Sequence, residues 1–191
     1  MTAGWFKAKG VQDGKREFAT QMIGLDLALA ETKGKTVLDL GCAEGLIGRE
    51  FAQAGATSVH GVEMLPNYVE AARGYCAGLP MTIECAELRE YLGRFDDIAV
   101  PLPRYDIVLA LAIVHKLHEP EVGLRFCARS ARSLVVLRLP SYTKGMKFRS
   151  KFRGDWVFAD IEMTSEGFKL ERAFPGPYGT EPVQYWRRIR T

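Results

Sequence analysis

The sequence predicts an α/β domain built on a doubly wound sheet of seven strands, most of them parallel, with helices on both faces. Apolar runs of strand length alternate with amphipathic segments of helix length, as they do when crossover helices join parallel strands. The last two apolar runs are instead joined by the turn-rich segment PGPYGTEP, which indicates an antiparallel hairpin. A chain of 191 residues, 47% of them hydrophobic, can bury one substantial core, so we expect a single domain over residues 1–191.

The elements are predicted in order from apolar periodicity and from the residues at their boundaries. Pro66 suits the first turn of a helix, where its missing N–H would be unpaired in any case. Gly167 suits the position just after a helix end. The predicted strands are residues 36–40, 58–63, 81–85, 105–112, 133–139, 168–174 and 183–189. The predicted helices are residues 15–30, 44–54, 66–77, 119–129 and 158–166.

Composition narrows the class of protein. The N-terminus lacks the apolar core of a signal peptide, and the longest apolar run, residues 107–114, is far short of the ~20 residues of a membrane helix. We therefore expect a soluble, cytoplasmic protein that does not interact with membranes. Cys42, Cys76, Cys85 and Cys127 show no C-x-x-C spacing, so free buried thiols are expected rather than disulfides or zinc ligands.

Two features at the ends of consecutive predicted strands indicate a nucleotide-type ligand. Gly41 and Gly45 follow the first strand and permit a sharp turn with close approach of a ligand to the backbone. Glu63 ends the second strand, where its carboxylate can accept hydrogen bonds from ribose hydroxyls. The dinucleotide pattern G-x-G-x-x-G does not fit, because Ala43 and Leu46 occupy its second and third glycine positions. The ligand is therefore expected to be a nucleoside without a pyrophosphate.

Five segments of the chain resemble the class I S-adenosylmethionine-dependent methyltransferases. VLDLGCAEG resembles the first motif of that family, and VHGVEMLPNYVEAAR resembles the second. YDIVLALAIVHKL resembles the fourth strand and the turn after it, and EGFKLERAFPG with PVQYWRRIR resembles the last helix and closing hairpin. The resemblance implies a Rossmann-like fold and transfer of a methyl group from S-adenosylmethionine, with S-adenosylhomocysteine as product.

The resemblance also implies a set of donor-binding residues. Asp39 would lie near the donor's ammonium group, and the backbone amides of the glycine loop would lie near its carboxylate. Glu63 would bind the ribose, and Met64 and Leu65 would lie beside the adenine. The adenine amino group would be contacted by Glu87 or by the backbone at Ala86, since no Asp follows the third strand directly as the family's third motif would have it. The complete expected set is Asp39, Gly41, Ala43, Gly45, Glu63, Met64, Ala86, Glu87 and Ala110.

His115 and His118 follow the fourth strand and are the candidates for a general base, because histidine titrates near neutral pH. A structural role for His115 in the turn is the alternative interpretation. The cluster HKLHEPE predicts no metal site, because nothing supplies a third ligand of suitable geometry.

The methyl acceptor is less well defined by the sequence. The chain has neither the Asn/Asp-Pro-Pro-aromatic motif of base-amine methylation nor the Pro-Cys of pyrimidine methylation. Residues 1–35, a possible lid over the donor, and a basic insertion at residues 139–155 remain as acceptor contacts, with Tyr142, Lys144 and Trp156 as candidates. The insertion's basic and aromatic residues favour nucleic acid or another anionic acceptor, although they also suit a solvated loop.

Two other functions stay open for the same fold. One is a non-catalytic, methyltransferase-like binding or activating subunit. The other is different S-adenosylmethionine chemistry, such as cleavage of the donor. The oligomeric state is not predicted.

Overall fold

The computed structural model describes residues 4–7, 14–95, 100–139, 156–177 and 181–189. The strands are β1 (Gly4–Lys7), β2 (Gly14–Glu17), β3 (Thr36–Leu40), β4 (Ser58–Glu63), β5 (Met81–Cys85), β6 (Tyr105–Leu111), β7 (Ala131–Arg138), β8 (Phe168–Phe174) and β9 (Val183–Arg188). The helices are α1 (Phe18–Gln21), α2 (Asp26–Ala30), α3 (Leu46–Gln53), α4 (Pro66–Tyr75), α5 (Leu88–Gly93), α6 (Pro120–Ser130) and α7 (Trp156–Ser165), and a 3-10 turn at Val114–Lys116 follows β6.

Seven strands form the main sheet in the order β5-β4-β3-β6-β7-β9-β8. Strands β3 to β7 are parallel to one another, whereas β9 runs antiparallel to β7 and to β8. The predicted fold class, with its closing hairpin, is confirmed. The carboxyl ends of five parallel strands meet at one edge of the sheet, which is where ligands bind in such folds.

Each face of the sheet is covered by its own hydrophobic core. On one face Leu38, Val108 and Val135 pack in a cluster with residues of α5, α6 and α7. On the other face Val37 and Leu109 pack in a cluster with residues of α3 and of the N-terminal segment. Central strands covered on both faces have continuous apolar sequences, which explains why their positions were predictable.

The N-terminal part of the chain corrects one prediction. Residues 15–30 do not form a single helix but contribute to β2, α1 and α2, and β2 pairs with β1 in a small parallel sheet. Gly24 separates the two short helices with a φ of 80°, and its carbonyl accepts a hydrogen bond of 2.7 Å from the Tyr185 hydroxyl. A tertiary contact to β9 therefore fixes a turn where the apolar spacing predicted continuous helix.

Other differences from the predictions are smaller. Helix α5 was not predicted, and Cys85 is exposed rather than buried, unlike the three other free cysteines. Tyr142 and Lys144 lie outside the described residues, as does the predicted basic insertion apart from Leu139.

None of the helices in the described ranges is long and apolar enough to cross a membrane.

Candidate functional site

A cavity of about 240 Å³ opens at the carboxyl edge of the parallel strands. It is lined by the loop after β3, the ends of β4 and β6, the residue after β5 and the last residue of β7. Trp5 and Phe6 of β1 and Gln21 of α1 also line it. The cavity thus spans the central strands at the edge of the sheet where the sequence predicted a nucleoside ligand.

The loop after β3 folds through three residues with positive φ angles. Gly41 has a φ of 71°, Ala43 of 48° and Gly45 of 72°. The left-handed conformation is unfavourable by roughly 1–2 kcal/mol for a residue with a Cβ, and Ala43 is held in it by tertiary contacts. Its backbone N–H donates to Glu63 Oε2 at 3.0 Å. The loop is therefore tied directly to the carboxylate at the end of β4.

Glu63 is buried and accepts three backbone hydrogen bonds. Besides the bond from Ala43, its Oε1 accepts from the N–H groups of Met64 at 2.9 Å and Leu65 at 3.0 Å. A carboxylate offers about four acceptor positions. The free position lies on Oε2, so Glu63 can accept one further hydrogen bond without releasing either loop.

Asp39 lies at the cavity floor and is 3% exposed. Its carboxylate accepts a hydrogen bond from the backbone of Gly48, in the first turn of α3. Its Oδ2 has no partner among the described residues. Burial, together with the nearby negative charge of Glu63, raises the pKa of Asp39 from 3.8 to about 7.

The wall opposite Glu63 carries positive charge. Arg138, the last residue of β7, is 1% exposed and donates to Gln21 Oε1 at 3.0 Å and to the Gln21 carbonyl at 2.6 Å. Burial lowers the pKa of Arg138 to about 10, so the guanidinium stays charged at neutral pH. Lys116 also lines the cavity, and its Nζ lies 5.3 Å from the ring centre of Trp5.

Most of the predicted donor-binding residues converge on this cavity, and the others have structural contacts elsewhere. The residues that line it are Asp39, Gly41, Ala43, Glu63, Met64 and Ala86. Gly45 is instead the N-cap of α3, where an added Cβ would lie 3.1 Å from Ala72 Cβ of α4. Glu87 caps α5 by accepting from the Glu90 N–H at 3.2 Å, and Ala110 is fully buried within β6.

The two predicted general bases do not line the cavity. His115 lies in the 3-10 turn, where burial, with a contribution from the positive charge of Lys116, lowers its pKa to about 4. His118 lines a separate cavity of about 220 Å³ beside α5. Their catalytic role stays a prediction that this geometry does not favour.

Trp156, the predicted acceptor contact within the described residues, is the first residue of α7.

Several cavity residues were not among the donor-binding residues that the sequence predicted. Gln21, Lys116 and Arg138 contribute the polar groups of its far side, and Ala112 after β6 has a φ of 58°. A charged residue within the buried run LVVLRL was a usable signal for Arg138, because a fully buried charge needs a partner. Gln21 lies within residues 1–35, which the sequence interpretation treated as a possible lid over the donor.

The strand order, the glycine loop after β3 and the acidic residue ending β4 define a class of protein, the class I S-adenosylmethionine-dependent methyltransferases. Comparison with known families agrees with this class. The family described as "Methyltransferase domain" matches residues 37–134, and the chain belongs to that family.

Individual relatives share part of the sequence or the whole fold. The chain is 30% identical over 100 residues to ubiquinone biosynthesis O-methyltransferase of Neisseria meningitidis, a match that covers 52% of this chain and 40% of that protein. The chain therefore spans less than half the length of that relative.

Solved structures match over most of their length. Magnesium protoporphyrin IX methyltransferase from Synechocystis, with bound S-adenosylhomocysteine, superposes with a TM-score of 0.70 at 18% identity, covering 93% of this chain and 90% of that one. An S-adenosylmethionine-dependent methyltransferase from Mesorhizobium loti superposes with a TM-score of 0.66 at 17% identity, covering 90% of this chain and 99% of that one. At these identities the similarity shows the fold alone.

Proposed function

We propose that the chain binds S-adenosylmethionine in the cavity and transfers its methyl group to a small-molecule acceptor. One observation carries the proposal. Asp39 and Glu63, from neighbouring strands, line one cavity, and each keeps an unused acceptor position on its carboxylate. Buried carboxylates with unused acceptor capacity match a ligand that brings both hydroxyl and ammonium donors.

In this proposal the donor lies along the carboxyl ends of the strands. A ribose hydroxyl donates to Glu63 Oε2, and the adenine contacts the exposed side chains of Met64 and Leu65, which line the cavity together with Ala86. The ammonium group of the donor pairs with Asp39. Leu111–Ile113 at the end of β6 also line the cavity, between the two strands that carry Asp39 and Arg138, and they would contact the part of the donor that reaches this strand.

The proposed reaction is an in-line displacement at the methyl carbon. A lone pair of the acceptor forms the new bond to carbon while the carbon–sulfur bond breaks, and its electrons return to sulfur to give S-adenosylhomocysteine. Holding both reactants close and collinear contributes roughly 7–11 kcal/mol in well-oriented systems. A general base is needed only when the acceptor must lose a proton.

The proposed small-molecule acceptor differs from the nucleic acid that the basic insertion in the sequence favoured. The relatives named above are a ubiquinone biosynthesis enzyme and a magnesium protoporphyrin IX enzyme, both named for small molecules. The basic insertion that favoured nucleic acid lies outside the described residues. These names support a small-molecule acceptor.

Calorimetric titration tests donor binding. We expect the protein to bind S-adenosylmethionine and S-adenosylhomocysteine and not to bind NAD. Glu63→Gln should weaken donor binding by about 1.5–3 kcal/mol, or roughly 10- to 150-fold, because it removes a charge-assisted hydrogen bond. Glu70→Gln is the matched control, since Glu70 is an exposed residue of the following helix α4.

The alternatives give different results in the same system. A non-catalytic subunit that has lost donor binding would bind neither adenosyl ligand, and equal affinities for parent and Glu63→Gln would remove Glu63 from the site. Product analysis after incubation with S-adenosylmethionine and candidate acceptors distinguishes methyl transfer from donor cleavage. Methyl transfer yields S-adenosylhomocysteine, whereas cleavage yields methylthioadenosine without dependence on an acceptor.

A further inference from the structure

We propose that Arg138 binds the carboxylate of the donor's amino-acid end, opposite Asp39, which binds its ammonium group. The two side chains would thus form a site for a zwitterionic amino acid at one end of the cavity. This inference rests on the proposed function and adds a residue from β7 to the donor site.

Two unpartnered atoms of opposite charge support the pairing. Asp39 Oδ2 and Arg138 Nε are both buried, and neither has a hydrogen-bond partner among the described residues. Both residues line the same cavity. A buried charged group without a full set of partners is unfavourable, and the ammonium and carboxylate of one amino acid would satisfy both groups at once.

Sheet register places both side chains on the same face. Asp39 pairs with Leu109 of β6, Leu109 pairs with Val136 of β7, and Arg138 lies two residues beyond Val136. Side chains two residues apart on a strand point to the same face. Strands β3 and β7 are separated by two strand spacings, or about 10 Å. That separation leaves room for an amino-acid group between a short aspartate and a long arginine.

Gln21 fixes the orientation of the guanidinium. The side-chain Oε1 of Gln21 accepts a hydrogen bond from Arg138 Nη1, and the Gln21 carbonyl accepts one from Arg138 Nη2. These two hydrogen bonds use only some of the N–H groups of the guanidinium. An arginine carries five N–H donors in a planar fork that suits a carboxylate. The other cation of this wall, Lys116, already lies against the face of Trp5. Arg138 is therefore the better positioned of the two for a carboxylate.

A purely structural role explains Arg138 less well. Replacing a buried ion by an apolar side chain of similar volume is often neutral or stabilising, and six other residues of β7 between Ala131 and Leu137 are apolar or small. Burial lowers the pKa of Arg138, and the negative charges of Glu181 and Asp39 partly oppose that shift. A ligand carboxylate would supply a further negative charge and a partner for the Nε of Arg138.

The test combines a change in the protein with a change in the ligand. Arg138→Met should weaken S-adenosylmethionine and S-adenosylhomocysteine binding by about 10- to 100-fold. Decarboxylated S-adenosylmethionine keeps the ammonium group and lacks the carboxylate. Its dissociation constants for the variant and for the parent should therefore agree within about threefold. Arg138→Lys, which keeps the charge but loses the fork, should fall between the parent and Arg138→Met.

Arg132→Met is the matched control, because Arg132 is an exposed residue at the other end of β7. Thermal unfolding of each variant without ligand checks that it is folded. Equal weakening of all ligands by Arg138→Met would overturn the inference and leave Arg138 a role in cavity shape. Unchanged donor binding combined with a raised KM for an acceptor would overturn it as well and assign Arg138 to the acceptor. A parent protein that binds no adenosyl ligand would overturn the proposed function and this inference together.

Discussion

Asp39 connects the stability of the protein to pH in a direction opposite to that of most carboxylates. Its pKa is raised from 3.8 to about 7 by burial and by the charge of Glu63. The folded state therefore holds the proton more tightly than the unfolded state between these two values. The stabilising contribution is fully present below pH 3.8 and is lost as the pH rises through about 7.

The magnitude follows from the size of the pKa shift. At about 1.4 kcal/mol per pH unit, the shift corresponds to roughly 4 kcal/mol of unfolding free energy lost between acidic and neutral pH. Asp39→Asn replaces the titrating group by a neutral one of similar shape. We therefore expect the variant without ligand to be more stable than the parent by up to about 4 kcal/mol at pH 8, with the difference vanishing toward pH 4.

Urea denaturation of the parent and Asp39→Asn at pH 4 to 8 measures this difference directly. Asp106→Asn is a control of opposite sign. Burial of Asp106 is outweighed by hydrogen bonds of 2.9 and 3.0 Å from the backbone and hydroxyl of Thr36, which lower its pKa. Removing Asp106 should therefore destabilise the protein most at neutral pH. Parallel stability curves for the parent and Asp39→Asn would refute the reasoning.

Donor binding supplies the second readout for Asp39. An ammonium group beside the carboxylate favours its ionised form, so the affinity of the parent for S-adenosylmethionine should rise with pH up to about 7. The Asn variant should bind more weakly at pH 8 and show no such rise. A variant that is both more stable and a poorer binder would separate the ligand role of Asp39 from any role in folding.

Two further predictions test the loop and the turn after β6. Gly45→Ala should destabilise the protein by roughly 1–3 kcal/mol, because φ is 72° and the new Cβ would lie 3.1 Å from Ala72 Cβ. Gly74→Ala, in an open position of α4, should instead be neutral or stabilise it by up to about 1 kcal/mol, and urea denaturation compares the two. His115→Gln should leave donor affinity unchanged and gain stability relative to the parent as pH falls from 6.5 to about 4, since burial disfavours the charged imidazole. A constant stability difference over that range would contradict the assignment.

The predicted strands agree with the structure most closely where neighbouring residues in the sequence mark the strand ends. Thr36–Leu40, Ser58–Glu63 and Met81–Cys85 have the bounds that the sequence predicted. These strands are bounded by loop residues such as Gly41 and Pro66, which mark strand ends and helix starts directly. Such signals can be read from neighbouring residues in the sequence without knowledge of tertiary contacts.

The N-terminal segment and the far side of the cavity could not be predicted in the same way. The turn at Gly24 depends on the hydroxyl of Tyr185, and the orientation of Arg138 depends on Gln21, which is 117 residues earlier in the chain. Apolar spacing predicts which face a residue occupies but not which distant residue meets it. The glycine loop and Glu63 were predictable because their spacing belongs to a recognisable motif. Lys116 and Arg138 belong to no such motif.

The cavity combines an acidic and a basic wall within a single layer of parallel strands, and this arrangement has a consequence for the protein without its ligand. Asp39 and Arg138 each keep a buried atom without a partner among the described residues, and a buried polar atom without any partner is unfavourable. A ligand that supplies an ammonium and a carboxylate removes both penalties and stabilises the folded state through mass action. These two groups would therefore favour an amino-acid-bearing donor over adenosine alone, because adenosine carries neither an ammonium nor a carboxylate.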